Sequence, residues 1–194
     1  MPARPLPYAE EPGEVIFACY CPAGALPYIC MRDNDVCAVI LAGGRSSRMG
    51  RDKALIDIAG HPLIEIIIDR VRPVAGQILI SSGDSIKYRE FGFPVVTDLF
   101  KNHGPLAGLH AAMLYKPRFR YLALACDLPN LRTDFLRTLA DLSDGNDAVI
   151  PRTRDGLAHP LCAVYRESCF PFIDQALTRG DAKVIEILLS SPLS

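Results

Sequence analysis

VCAVILAGGRSSRMGRDKAL, residues 36–55, carries a strand directly into a cationic glycine turn. Val36, Ala38, Val39, Ile40 and Leu41 make a nearly unbroken apolar run, the pattern of a strand buried on both faces of a parallel sheet. Gly43 and Gly44 then allow a sharp turn that brings backbone N–H groups close to an anion. Arg45, Arg48, Arg51 and Lys53 add four fixed positive charges immediately afterwards, which suits a triphosphate. No Gly is followed by Lys and Ser/Thr, and GxGxxG is absent, so a P-loop ATPase and a Rossmann dehydrogenase are both disfavoured.

Working outward, Leu55–Ile58 reads as a short extended piece turned by Ala59-Gly60. Pro62 suits the first position of a helix whose face carries Leu63, Ile66, Ile67 and Val71. Strands are expected at 77–82, 94–97, 121–125, 147–151 and 161–165. Helices are expected from Gly104-Pro105 to about Leu114, from Thr133 or Asp134, and over 167–178 and 182–189. This alternation predicts an α/β fold, a three-layer α/β/α sandwich with a mostly parallel sheet. In such sheets ligands bind beyond the carboxyl ends of the strands, which gathers loops 42–53, 81–84, 98–108 and 126–129 at one edge.

Leu41-Ala42-Gly43-Gly44, Ser46, Arg48-Met49-Gly50, Asp52-Lys53 and Leu55 fit the pattern LAGGxSxRMGxDKxL. At those eleven positions the chain resembles the molybdenum cofactor guanylyltransferases, within the wider nucleotidyltransferase superfamily with its Rossmann-like fold. The resemblance spans about residues 36–189. Asp127, after the strand YLALAC and before Leu128-Pro129, suits either a carboxylate that holds Mg²⁺ or an ordinary turn cap. The resemblance implies the metal role. Asp98 precedes Gly104-Pro105-Leu106-Ala107-Gly108, another element the family shares, and the resemblance implies that Asp98 contacts the nucleotide. A carboxylate there can accept from guanine N1–H and the 2-amino group. Lys53, with Arg48, is expected to neutralise phosphates; Ser46 and the backbone of Gly43 and Gly44 are expected to donate to them. Leu41 and Ala42 are expected to line the base and ribose pocket. Ser81 stands where the family often has Asn and is retained as a nucleotide-side candidate. His159, Arg152 and Arg154 are candidates for the acceptor side, or else turn and solvated loop residues.

At 194 residues the chain suits one domain with a proper core. A 49% hydrophobic, 22% charged composition with net charge −1 argues against broad binding to nucleic acid or anionic membrane. No apolar run approaches the roughly 20 residues of a membrane span. Seven cysteines without regular spacing read as free thiols in a reducing cytosol, so a cytoplasmic location is expected. Cys19-x-Cys21 with Cys30 lacks the CxxC pairing or nearby His of a zinc site. Residues 1–35, with six prolines and no periodicity, are expected to be a loosely ordered extension before a nucleotidyltransferase domain at 36–194. The family usually continues into a further strand and an Asn-Thr-Pro segment, whereas this chain stops at Ser194.

The resemblance implies Mg²⁺-dependent transfer of GMP from GTP to the terminal phosphate of molybdopterin, releasing pyrophosphate. It also implies proteins that deliver or receive the cofactor. Three rival readings stand beside it: a cytidylyltransferase acting on the same cofactor, a sugar-phosphate nucleotidyltransferase, and a noncatalytic GTP-binding protein. The cytidylyl enzymes typically carry LAAG and lack GPLAG, which favours guanine.

Overall fold

The computed structural model describes the backbone of residues 16–20 and residues 35–42, 52–84, 86–101, 103–117 and 120–180. β2 (Val36–Leu41) is buried at every position, as its continuous apolar run predicts. Strand geometry sends successive side chains to opposite faces. Val36, Ala38 and Ile40 enter one core with residues of α1 (Leu63–Val71) and α3 (Thr133–Leu142). Cys37, Val39 and Leu41 enter the other, with residues of α2 (Pro105–Tyr115) and α4 (Phe170–Thr178). Helices therefore cover both faces of the sheet, which is the three-layer sandwich expected from the sequence. Each fully buried aliphatic side chain contributes about 1.5–3 kcal/mol.

Parallel pairings join β2 to β5 (Gln77–Ser81) and β7 (Arg120–Ala125), and join β5 to β6 (Val95–Val96). β9 (Cys162–Arg166) runs antiparallel to β7 and to β8 (Ala148–Arg152). Two reversals return β8 to the direction of β2, so most of the sheet points one way and β9 is the internal exception. The full order is β1-β8-β9-β7-β2-β5-β6.

β1 (Ile16–Tyr20) pairs antiparallel with β8 at the sheet edge. This corrects the expectation that residues 1–35 hold no strand: the run Ile16–Tyr20 finds its partner far away in sequence. Leu55, expected to open the extended piece, instead ends a 3₁₀ turn over Lys53–Leu55. The extended part is the small hairpin of β3 (Asp57–Ile58) and β4 (His61–Pro62). Ala59 and Gly60 make its two-residue turn with φ of 56° and 92°, the positive values such a connection needs.

α1 starts at Leu63, one residue after the expected Pro62, and buries Leu63, Ile64, Ile67, Ile68 and Val71. Ile66 lies beside that stripe, only partly buried. α2 is buried continuously from Leu106 to Met113 between sheet and α4, so it shows no amphipathic period. The expected helix over 182–189 lies outside the described residues.

Candidate active site

Register places Leu41 opposite both Ser81 and Ala125, and Ser81 opposite Val96, so four strands end along one line. After β2 the chain builds β5 and β6 on one side, then crosses to place β7 on the other. That reversal is a switch in strand order, the place where open α/β sheets bind ligands. Lys53 and Asp127 face each other there, with Lys53 Nζ 3.8 Å from Asp127 Oδ2. Their side chains are 45% and 55% exposed, so the attraction is weak and both groups stay open to a ligand. These two expected residues are brought together by the fold.

Asp98 follows β6, and its Oδ1 accepts a 2.9 Å hydrogen bond from Ser81 Oγ. Burial raises the Asp98 carboxyl above its ordinary value, and the Ser81 hydroxyl partly opposes that rise. Ser81 is 2% exposed, so its hydroxyl acts on Asp98 from beneath rather than facing the crevice. Gly108 explains the room available to it. A Cβ at Gly108 would lie 2.3 Å from Ser81 Oγ and 2.9 Å from Leu41 Cδ2. The last Gly of GPLAG thus allows α2 to approach the strand ends.

Leu41 and Ala42 are buried, and the Ala42 N–H donates to Ser81 O at 2.9 Å. That N–H belongs to the sheet, which leaves Ala42 to shape the pocket wall. Gly43, Gly44, Ser46 and Arg48 lie outside the described residues. Ala42 and Asp52, on either side of that stretch, are both held by Tyr88. Tyr88 Oη lies 2.6 Å from Asp52 Oδ2 and 3.0 Å from Ala42 O. Asp52 Oδ1 accepts from the Ala54 N–H at 3.0 Å and caps the 3₁₀ turn that carries Lys53. Lys87 forms an ion pair with Asp52 Oδ2. Burial pushes the Asp52 carboxyl up, but hydrogen bonds from Lys87, Tyr88 and Ala54 outweigh it and hold the group below its ordinary value.

On the far side of Asp127, a cavity of about 620 Å³ opens between the β7–α3 segment and the end of β8. Asp127, Asn130, Phe135, Arg152 and His159 are among its walls, whereas Arg154 does not line it. Arg152 Nη1 donates to Gly156 O at 3.2 Å, and Arg132 is engaged by Asp134 through two hydrogen bonds. The Cys126 thiol is pushed up to about 11 by burial, then by the carboxylates of Asp127 and Asp52. Burial pushes Cys162, at the cavity wall, up to about 12. Neither sulfur is an ionised nucleophile at neutral pH.

Among the described residues no cluster of three or more His, Cys, Asp or Glu side chains is placed to hold a metal. Mg²⁺ commonly binds one or two carboxylates together with substrate phosphates, and the exposed Asp127 carboxylate fits that donor set. No helix among the described residues is long and apolar enough to cross a membrane.

The site is thus a cation and a carboxylate facing each other at the switch point of an α/β sandwich. The chain belongs to the family of the MobA-like NTP transferase domain, whose model matches residues 38–191. It is 36% identical over 148 residues to a probable molybdenum cofactor guanylyltransferase of Pelotomaculum thermopropionicum, covering 76% of this chain and 72% of that protein. It is likewise 36% identical over 159 residues to the molybdenum cofactor guanylyltransferase of Yersinia pseudotuberculosis, covering 79% and 80%. Among solved structures it is similar to molybdopterin-guanine dinucleotide biosynthesis protein A from Archaeoglobus fulgidus, with a TM-score of 0.65 and 26% identity over 78% of each chain.

Proposed function

We propose that this protein transfers GMP from GTP to the terminal phosphate of molybdopterin and releases pyrophosphate. The observation that carries the reading is the Lys53–Asp127 pair, 3.8 Å apart at the switch point, between Asp98 on one side and the 620 Å³ cavity on the other. A donor nucleotide and an acceptor placed on those two sides meet where the charge of transfer develops.

An acceptor phosphate monoester is largely ionised at neutral pH, so its oxygen attacks the α-phosphorus without a general base. A P–O bond forms there, the bond to the β-phosphate bridging oxygen breaks, and pyrophosphate carries away the electron pair. Burial keeps Cys126 and Cys162 protonated, so neither thiol is assigned a part in the transfer. Catalysis then rests on positioning and charge stabilisation. Lys53 neutralises phosphate oxygens, with Arg48, Ser46, Gly43 and Gly44 assigned to the same task. Asp98, steadied by Ser81, accepts from guanine N1–H and the 2-amino group. Asp127 would hold Mg²⁺, which when bound polarises the phosphates and offsets their charge. Arg152 and His159 face the acceptor within the cavity.

Calorimetric titration with GTP, CTP and ATP, each with Mg²⁺, tests the donor, and pyrophosphate release on adding molybdopterin tests the transfer. Selective GTP binding followed by acceptor-dependent release is expected. A preference for CTP overturns the base assignment, and GTP binding without molybdopterin-dependent release overturns the acceptor.

A further inference from the structure

We propose that Tyr88 is a positioning residue that ties Ala42 to Asp52 and, through Asp52, aims Lys53 at the nucleotide phosphates. The inference deepens the proposed function and rests on its assignment of Lys53 to phosphate binding.

Tyr88 is 1% exposed, yet its hydroxyl contacts two groups that bracket the loop rather than one within its own element. Ala42 O lies 3.0 Å from that oxygen at the entry, and Asp52 Oδ2 lies 2.6 Å from it at the exit. The two ends therefore sit no further apart than those distances combined. A phenol carries one proton, and the shorter contact to a carboxylate takes most of it. That bond reaches Lys53 by a short route. Asp52 Oδ1 accepts from the Ala54 N–H, which fixes the 3₁₀ turn beginning at Lys53.

Three donors hold Asp52: the Ala54 amide on Oδ1, and the Tyr88 hydroxyl and the Lys87 ammonium on Oδ2. Asp52 thereby supports Lys53, whose turn it caps. Lys87 also resolves an electrostatic conflict. A bare carboxylate beside a triphosphate site repels the ligand, and the ammonium paired with Asp52 cancels that charge. Phe would fill the ring site of Tyr88 equally well, against Phe91 at 6.5 Å. What the hydroxyl adds is the tie between the loop ends.

The test is calorimetry with Mg²⁺ on Tyr88→Phe, using the triphosphate preferred by wild type and its monophosphate. Triphosphate affinity is expected to fall about tenfold, the effect of losing one hydrogen bond to a charged group, while monophosphate affinity is unchanged. Tyr88→Phe/Asp52→Asn should be no weaker than the worse single variant, because both remove one shared contact. Lys87→Gln, on an exposed side chain, supplies a second reading should Tyr88→Phe fold poorly. It should also weaken the triphosphate selectively, most clearly at low salt. Equal loss of triphosphate and monophosphate, or no loss of either, overturns the positioning role while wild-type GTP binding leaves the proposed function standing. Wild-type preference for another triphosphate removes guanine from that function, yet the loop test proceeds with the preferred nucleotide. A wild-type protein that binds no triphosphate overturns both.

Discussion

Replacing Gly108 with alanine sets two opposed effects against each other at the closest approach between α2 and the strand ends. Helix propensity alone favours alanine by about 1 kcal/mol. Against this, the new methyl would stand 2.3 Å from Ser81 Oγ and 2.9 Å from Leu41 Cδ2, so strand or helix must shift. Overpacking of this kind costs roughly 1–3 kcal/mol. Turning the Ser81 hydroxyl away also breaks its 2.9 Å bond to Asp98. A bond to a charged group is worth about 1.5–3 kcal/mol when buried, and about 1 kcal/mol here because Asp98 is only half-buried. The balance is a loss of about 2 kcal/mol. For a chain of this size the melting temperature should fall by roughly 4–8 °C, read by circular dichroism during heating. Ser81→Ala/Gly108→Ala should melt above Gly108→Ala, because the nearest clashing atom has gone. A Gly108→Ala protein that melts at or above wild type refutes the close approach, and additive losses in the double variant refute the part played by Ser81.

Asp127→Ala should abolish metal-dependent transfer while leaving the melting temperature nearly unchanged, since its side chain is more than half exposed. Transfer at the wild-type rate would remove Asp127 from the metal site. Asp98→Asn should narrow the preference for GTP over ATP and CTP in calorimetric competition; unchanged selectivity would separate Asp98 from base reading. The pH dependence follows from the raised Asp98 carboxyl. The folded protein holds that proton to higher pH than the unfolded chain, whose ordinary value is 3.8, so Asp98 lowers stability as pH rises through the interval between them. The Asp98 carboxylate proposed to read guanine forms over the same interval. GTP affinity should therefore climb with pH there in wild type and stay flat in Asp98→Asn, and parallel profiles would contradict the assignment.

Local patterning made the layers and most strands legible, because β2 and its neighbours are buried on both faces and show it as apolar runs. Contacts between distant loops were not legible in the same way. Tyr88 gives no local sign that it meets Ala42 and Asp52, which lie 46 and 36 positions away in the chain. Asp52 stood in the recognised motif, but its role depends on Lys87 and Tyr88 closing from another loop. Ser81 was expected on the nucleotide side, and only the packing of Gly108 shows why its hydroxyl turns to Asp98. β1 was missed because the prolines around it outweighed the five-residue run, and its place is set by a distant open strand edge. On α1, the expected face included Ile66, whereas the stripe turns toward Ile64 and Ile68 once α3 packs beside it.

The reversed direction of β9 has a consequence for how this scaffold tolerates change. β8 must turn back to form it, so residues 153–161 project at the same edge as the switch point, held by Thr153 N–H to Leu157 O and His159 N–H to Pro151 O. Lengthening such a turn costs only about 0.6 kcal/mol for each doubling of its length. The half of the sheet built from β2, β5 and β6 pairs with neither β8 nor β9. Inherited insertions at 153–161 can thus reshape one wall of the cavity without disturbing the opposite half of the sheet. On the proposed reading, the side that receives the transferred group can vary while the side that holds its donor is kept.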